Sequence, residues 1–67
     1  MEITIKTHTN REIKVKNIKQ LSHTKDNMVI FLPYCGTVEI EVDGETILNS
    51  EMPSFDTRIV KSMDIEL

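Results

Sequence analysis

Apolar and polar residues alternate over Val38-Glu39-Ile40-Glu41-Val42, the two-residue period of a strand with one buried face. Asp43-Gly44 follows, a pair suited to the two positive-φ positions of a type I′ turn, and a β-rich run over 45–48 comes next. The pattern predicts a hairpin. It leaves the register open: a two-residue turn places Ile47 beside Ile40, and a bulged turn places Leu48 beside Val38.

The same period recurs towards both ends. Ile3 and Ile5 alternate with Thr4 and Lys6, and Ile13 and Val15 with Glu12, Lys14 and Lys16, on either side of the turn-prone run 8–11. This predicts a first hairpin with the isoleucines and Val15 inward. Ile59, Met63, Ile65 and Leu67 share one parity against Val60, Ser62, Asp64 and Glu66, which predicts a last strand reaching the final residues. Between the hairpins the apolar spacing changes to three at Val15, Ile18 and Leu21. That predicts one helical or 3₁₀ turn over 17–21, capped by Asn17 and too short for a true helix. Residues 22–27 form a polar loop of turn formers. Met28-Val29-Ile30-Phe31-Leu32 is continuously apolar, as in a strand buried on both faces. Pro33 and Gly36 bracket a turn holding Tyr34 and Cys35, and 49–57 is a connection containing Met52, Pro53 and Phe55. The expected fold is all-β: one domain over 1–67, a five- to six-stranded antiparallel barrel or sandwich with at most one short helical turn.

Size adds a constraint. A chain of 67 residues buries only about 60% of the surface that its unfolded state exposes. Its single cysteine, Cys35, rules out an internal disulfide, and His8, His23 and Cys35 are not at zinc-ligand spacing. Self-association is the remaining common way to stabilise so small a core, so a homo-oligomer is one expectation. The lone thiol points to a reducing, cytoplasmic setting. No run approaches the roughly 20 apolar residues of a membrane span, and no leader pattern opens the chain. Alanine is absent and β-branched residues abound, which favours strands. Abundant Ile and Lys also fit an AT-rich coding sequence, as in low-GC bacteria and their phages.

The net charge of −3 hides a gradient. Lys6, Arg11, Lys14, Lys16, Lys19 and Lys25 outweigh Glu2, Glu12 and Asp26, so residues 1–34 carry +3. Residues 35–67 carry −6, because Arg58 and Lys61 face Glu39, Glu41, Asp43, Glu45, Glu51, Asp56, Asp64 and Glu66. Two readings follow. Basic and acidic strands lie side by side and neutralise one another across the sheet, or one half is an interaction surface.

Candidate chemistry is sparse. Cys35 lies in a loop without a signature that would lower its pKa, and lone cysteines commonly act as small buried hydrophobes. His8 and His23 fall in loops, where exposed histidines are the default. Glu39 and Glu41, with Glu45 across the turn, are paired carboxylates of a kind that serves acid–base chemistry or cation binding, but far more often solubilises a hairpin face. Lys14, Lys16 and Lys19, with Lys6 and Arg11, could follow a phosphate backbone, yet Phe31, Tyr34 and Phe55 are not interleaved with them. The five apolar residues at 28–32 exceed what one interior accepts. With Met28, Ile30 and Leu32 inside, Val29 and Phe31 face outward as an interface with Val60, unless residues 52–55 fold over them.

These features favour a non-enzymatic protein-binding module without a cofactor, because the chain is too small for an enclosed catalytic pocket. A small phage or mobile-element regulator or inhibitor fits, with Glu39, Glu41, Asp43, Glu45, Val29, Phe31 and Tyr34 meeting a basic surface on a protein target. The alternative is a nucleic-acid-binding barrel that uses the N-terminal lysines.

Overall fold

Each run of alternating residues is a strand in the computed structural model, which describes residues 1–67. The strands are β1 (Glu2–Thr7), β2 (Glu12–Lys16), β3 (Ile18–His23), β4 (Met28–Pro33), β5 (Val38–Val42), β6 (Glu45–Ser50), β7 (Ser54–Asp56) and β8 (Val60–Glu66). One 3₁₀ turn, Thr57–Ile59, joins β7 to β8. The fold is therefore all-β, with two antiparallel sheets: β6-β5-β2-β1-β8 and β3-β4-β7.

The core lies between the sheets. Ile3, Ile5, Ile13, Val15, Val38 and Ile40 fill it from the five-stranded sheet, and Ile18, Val29 and Phe31 from the three-stranded one. The predicted inward parity holds for β1, β2 and β5, where polar residues mark the other face. It is reversed for β4. Val29 and Phe31 are fully buried, while Met28, Ile30 and Leu32 are half-buried on the outer side. The neighbouring strands account for this. Phe31 lies opposite Leu21 and Val29 opposite Phe55, whereas Ile30 lies between Ser22 and Ser54. Phe55 also meets the Phe31 ring edge-on, with centroids 5.6 Å apart. The apolar partners are on the Val29–Phe31 side, so that side faces the core.

The helical turn expected over 17–21 is replaced by β3. Asn17 takes a left-handed conformation, φ 68°, and turns the chain from one sheet into the other between β2 and β3. Val15 and Ile18 both face the core because this corner resets the alternation. Tertiary pairing with β4 then overrides the local spacing of three. The connection expected over 49–57 contributes a short strand, β7, and the buried Pro53, whose carbonyl accepts the Phe31 N–H at 3.1 Å.

The Asp43-Gly44 turn has two residues, with φ 51° and 89°. Val42 pairs with Glu45 and Glu41 with Thr46; a bulge follows, and Ile40 pairs with Leu48. Neither expected register occurs, because a tight turn and a bulge are combined. Ile47 is the extra residue. Gly44→Val should lower stability by about 1–2 kcal/mol, since a β-branched residue tolerates positive φ poorly. No atom lies within 4 Å of the position its Cβ would take, so the cost is one of backbone conformation alone. Urea unfolding checks it, and an unchanged midpoint would contradict it.

Candidate partner-binding surface

The outer face of the five-stranded sheet carries the charges. In register, Lys14 lies opposite Glu41, Lys16 opposite Glu39, and Lys6 opposite Glu12. Lys16 Nζ stands 3.3 Å from Glu41 Oε1, and Lys6 Nζ stands 3.6 Å from Glu12 Oε2. The hydrogen bond from Lys16 to Glu41 raises the lysine pKa, helped by the carboxylates of Glu41, Glu2 and Glu39. The charge gradient along the chain thus becomes compensation between neighbouring strands.

That compensation divides the acidic hairpin. Glu39 and Glu41 are half-buried beside lysines. Asp43 accepts the Glu12 N–H at 3.1 Å and has Arg11 Nε at 3.9 Å from its carboxylate. Glu45 pairs with Val42, on the face opposite Glu41. The four carboxylates do not form one patch. Val29 and Phe31 are inaccessible to a partner, because both are in the core. Tyr34 is 73% exposed at the end of the β4 strand, where its N–H donates to the Asn17 carbonyl at 2.8 Å. It lies in the β4–β5 connection and not on the hairpin that carries the carboxylates.

Cys35, His8 and His23 are exposed. No group of three or more His, Cys, Asp or Glu side chains converges as a metal site would require. Asp56 has a structural task. Its carboxylate caps the 3₁₀ turn by accepting the Arg58 N–H at 2.9 Å and also receives the Arg58 side chain, with Nη2 at 2.6 Å from Oδ2. The side-chain and backbone hydrogen bonds from Arg58 lower the Asp56 pKa to about 2. The clasp is therefore expected to stay closed from neutral pH to well below the ordinary carboxylate range and to open as pH falls through about 2. A carbon-13 titration of the Asp56 carboxyl checks this; a midpoint near 4, the unperturbed aspartate value, would contradict it.

A different carboxylate set has no such partner. β8 is an edge strand, paired with β1 on one side only. A strand edge presents unpaired N–H and C=O groups that template further pairing. Asp64 and Glu66 are exposed on its outer face, and Ile65, on the other face, is 51% exposed. Across from β8, Glu2 lies directly opposite Glu66 and Thr4 opposite Asp64. Like charges placed directly opposite repel. The alternation of acid and aliphatic residues over 63–66 was visible in the sequence; its position at an open edge was not. No helix of the chain is long and apolar enough to cross a membrane. No family model, curated protein or solved structure matches the chain.

Proposed function

We propose that the protein is a non-enzymatic protein-binding module that takes up an extended basic segment of a partner along β8. The observation that carries this reading is an open seven-residue strand edge with carboxylates at alternate positions. The molecule already contains the complementary pairing. β5 has Glu39 and Glu41 two residues apart, and they lie opposite Lys16 and Lys14 of β2. β8 offers Asp64 and Glu66 at the same spacing, with Met63 and Ile65 on the reverse face, and no strand paired on its outer side. A partner strand with alternating aliphatic and basic residues would add main-chain hydrogen bonds, cover Ile65 and relieve the repulsion between Glu2 and Glu66. The acidic outer row also disfavours pairing of two β8 strands, because their carboxylates would meet. Charge attraction would speed encounter and make binding weaken with salt. Such a module suits a small regulator or inhibitor that covers a basic segment of its target.

A nucleic-acid role for the N-terminal lysines has less support. Lys6, Lys14 and Lys16 are each within 4 Å of a carboxylate, and Lys19 belongs to the other sheet.

The test uses a peptide that repeats the alternating Ile-Lys-Val-Lys sequence of β2, and an acidic counterpart. The basic peptide is expected to shift and protect the amides of residues 60–66 in nitrogen-15 spectra, and the acidic peptide is not. Asp64→Lys with Glu66→Lys should reverse that preference without unfolding the domain, since both residues are exposed. Shifts confined to 38–50, or none at millimolar peptide, would overturn the proposal.

A further inference from the structure

We infer that the open end of the sandwich is a binding site for a small amphiphilic anion, an aliphatic carboxylate. At that end the two sheets part and leave a groove of about 560 Å³. This lies within the range of roughly 300–1,000 Å³ typical of small-molecule sites, which recur at the mouths of β-barrels. The inference does not depend on partner binding at β8.

The groove is built from three parts of the chain. Its apolar lining is Ile13, Val42, Ile47, Phe55 and Ile59. Ile13 and Val42 come from the five-stranded sheet, Phe55 from the three-stranded sheet, and Ile59 from the 3₁₀ turn. Ile47 is the residue that the β5–β6 bulge inserts into the strand. Bulges re-aim side chains, and this one supplies an isoleucine to the groove while leaving it 61% exposed. Ile59 is 44% exposed at the same place. Neither is fully covered by another part of the chain, although one belongs to β6 and the other to the 3₁₀ turn. The Ile59 carbonyl accepts the His8 N–H at 3.2 Å, which ties the 3₁₀ turn to the β1–β2 turn across the mouth.

The charged residues lining the groove set the ligand's polarity. Arg11 and Arg58 line it, together with His8, and no carboxylate does. Arg58 is held by Asp56 through Nε and Nη2. Arg11 is less committed. Its side chain makes no hydrogen bond, and its only ionic neighbour, Asp43, stands 3.9 Å from Nε. Arg11 therefore keeps a planar fork of donors at the mouth, the geometry that receives a carboxylate in a bidentate manner. An aliphatic chain would lie against Ile13, Val42, Ile47 and Phe55, with its carboxylate on Arg11 and its tail desolvated by the two sheets. An uncharged apolar ligand would leave Arg11 with only its 3.9 Å contact to Asp43, and a cationic one would meet no carboxylate in the lining.

Titration with decanoate, octanoate, decanol and decylammonium, each below its micelle concentration, tests the inference. Calorimetry gives affinity, and methyl spectra of Ile13, Val42, Ile47 and Ile59 give location. Decanoate should bind one to one and shift those methyls. It should bind about ten-fold tighter than octanoate, the effect of two buried methylenes. Decanol and decylammonium should each be at least ten-fold weaker. Ile47→Glu should abolish decanoate binding, and Arg11→Gln should weaken decanoate while leaving decanol unchanged. Both residues are exposed, so both variants should keep the wild-type pattern of amide shifts. Decanol as tight as decanoate, or shifts that do not saturate or do not map to the groove, would overturn the inference. So would groove methyls that move on dilution without ligand, which would assign the groove to a second copy of the chain.

Discussion

Phe31→Glu should leave the chain unfolded at 25 °C. Phe31 is the largest fully buried side chain, with no exposed surface, and it packs edge-on against Phe55. Removing a buried phenylalanine costs about 3–5 kcal/mol through lost burial and the cavity left behind. A carboxylate at that site adds several kcal/mol, because an unpaired charge in an apolar interior has no compensating partner. The total stability of a domain of this length is only about 3–10 kcal/mol, scaled from the usual value per residue. Only nine apolar side chains form the core, so little remains to offset the loss. Loss of the β-type circular dichroism and collapse of amide shift dispersion would be the signature. A folded Phe31→Glu variant would mean that β4 turns its other parity inward, with Met28, Ile30 and Leu32 in the core. Ile30→Glu is the matched control. Ile30 is half-buried between Ser22 and Ser54, so a charge there can reach water and the domain should stay folded.

Asn17→Ala should lower stability by about 2–3 kcal/mol, which for a domain of this size is on the order of 10–20 °C in Tm. Asn17 is a single-residue corner between β2 and β3, with φ 68°. Asparagine enters this left-handed region more readily than alanine, whose Cβ makes it costly. The side chain also joins two sheet crossings. Nδ2 donates to the carbonyls of Cys35 and Thr37, both at 2.8 Å, and the Asn17 carbonyl accepts the Tyr34 N–H. The passage from β2 to β3 is thereby fastened to the passage from β4 to β5. Each lost side-chain hydrogen bond contributes about 0.5–1.5 kcal/mol, nearer the lower end here because the site is exposed. Asn17→Gly separates the two causes, since glycine keeps the backbone conformation and loses only the side-chain bonds. It should fall between wild type and Asn17→Ala by thermal unfolding. Asn17→Asp should be as damaging as alanine, because a carboxylate would face two carbonyl oxygens that need a donor. A glycine variant as stable as wild type would assign the whole effect to backbone strain.

These two positions mark where the chain's local pattern stops being informative. Val29 and Phe31 could not be assigned a face from their own segment, because every residue from 28 to 32 is apolar and alternation carries no signal there. The choice lies in Leu21, Phe55, Ser22 and Ser54, which reach β4 only through pairing. Asn17 shows a second limit. A spacing of three at Val15, Ile18 and Leu21 is the mark of a helical turn only if the backbone continues in one conformation. A left-handed residue between two strands produces the same spacing by resetting which face is inward. The candidate surface was legible in part for a related reason. Charges in the hairpin are conspicuous in sequence, but their neighbours across the sheet are far away along the chain. Lys14 and Lys16 lie opposite Glu41 and Glu39, while Asp64 and Glu66, equally acidic, lie on an edge strand.

By itself the sequence determined the all-β class, the inward faces of β1, β2 and β5, and the tight Asp43-Gly44 turn. All three follow from interactions within a few residues: alternation that separates a wet face from a dry one, and glycine's access to positive φ. Only the tertiary structure decided that the strands divide into two sheets, that Val29 and Phe31 enter the core, that β6 carries a bulge at Ile47, and that β8 is left as an edge. Each of these is a choice among arrangements with nearly equal local energy. The balance is tipped by long-range burial and cross-strand pairing, which depend on residues brought together only when the chain folds.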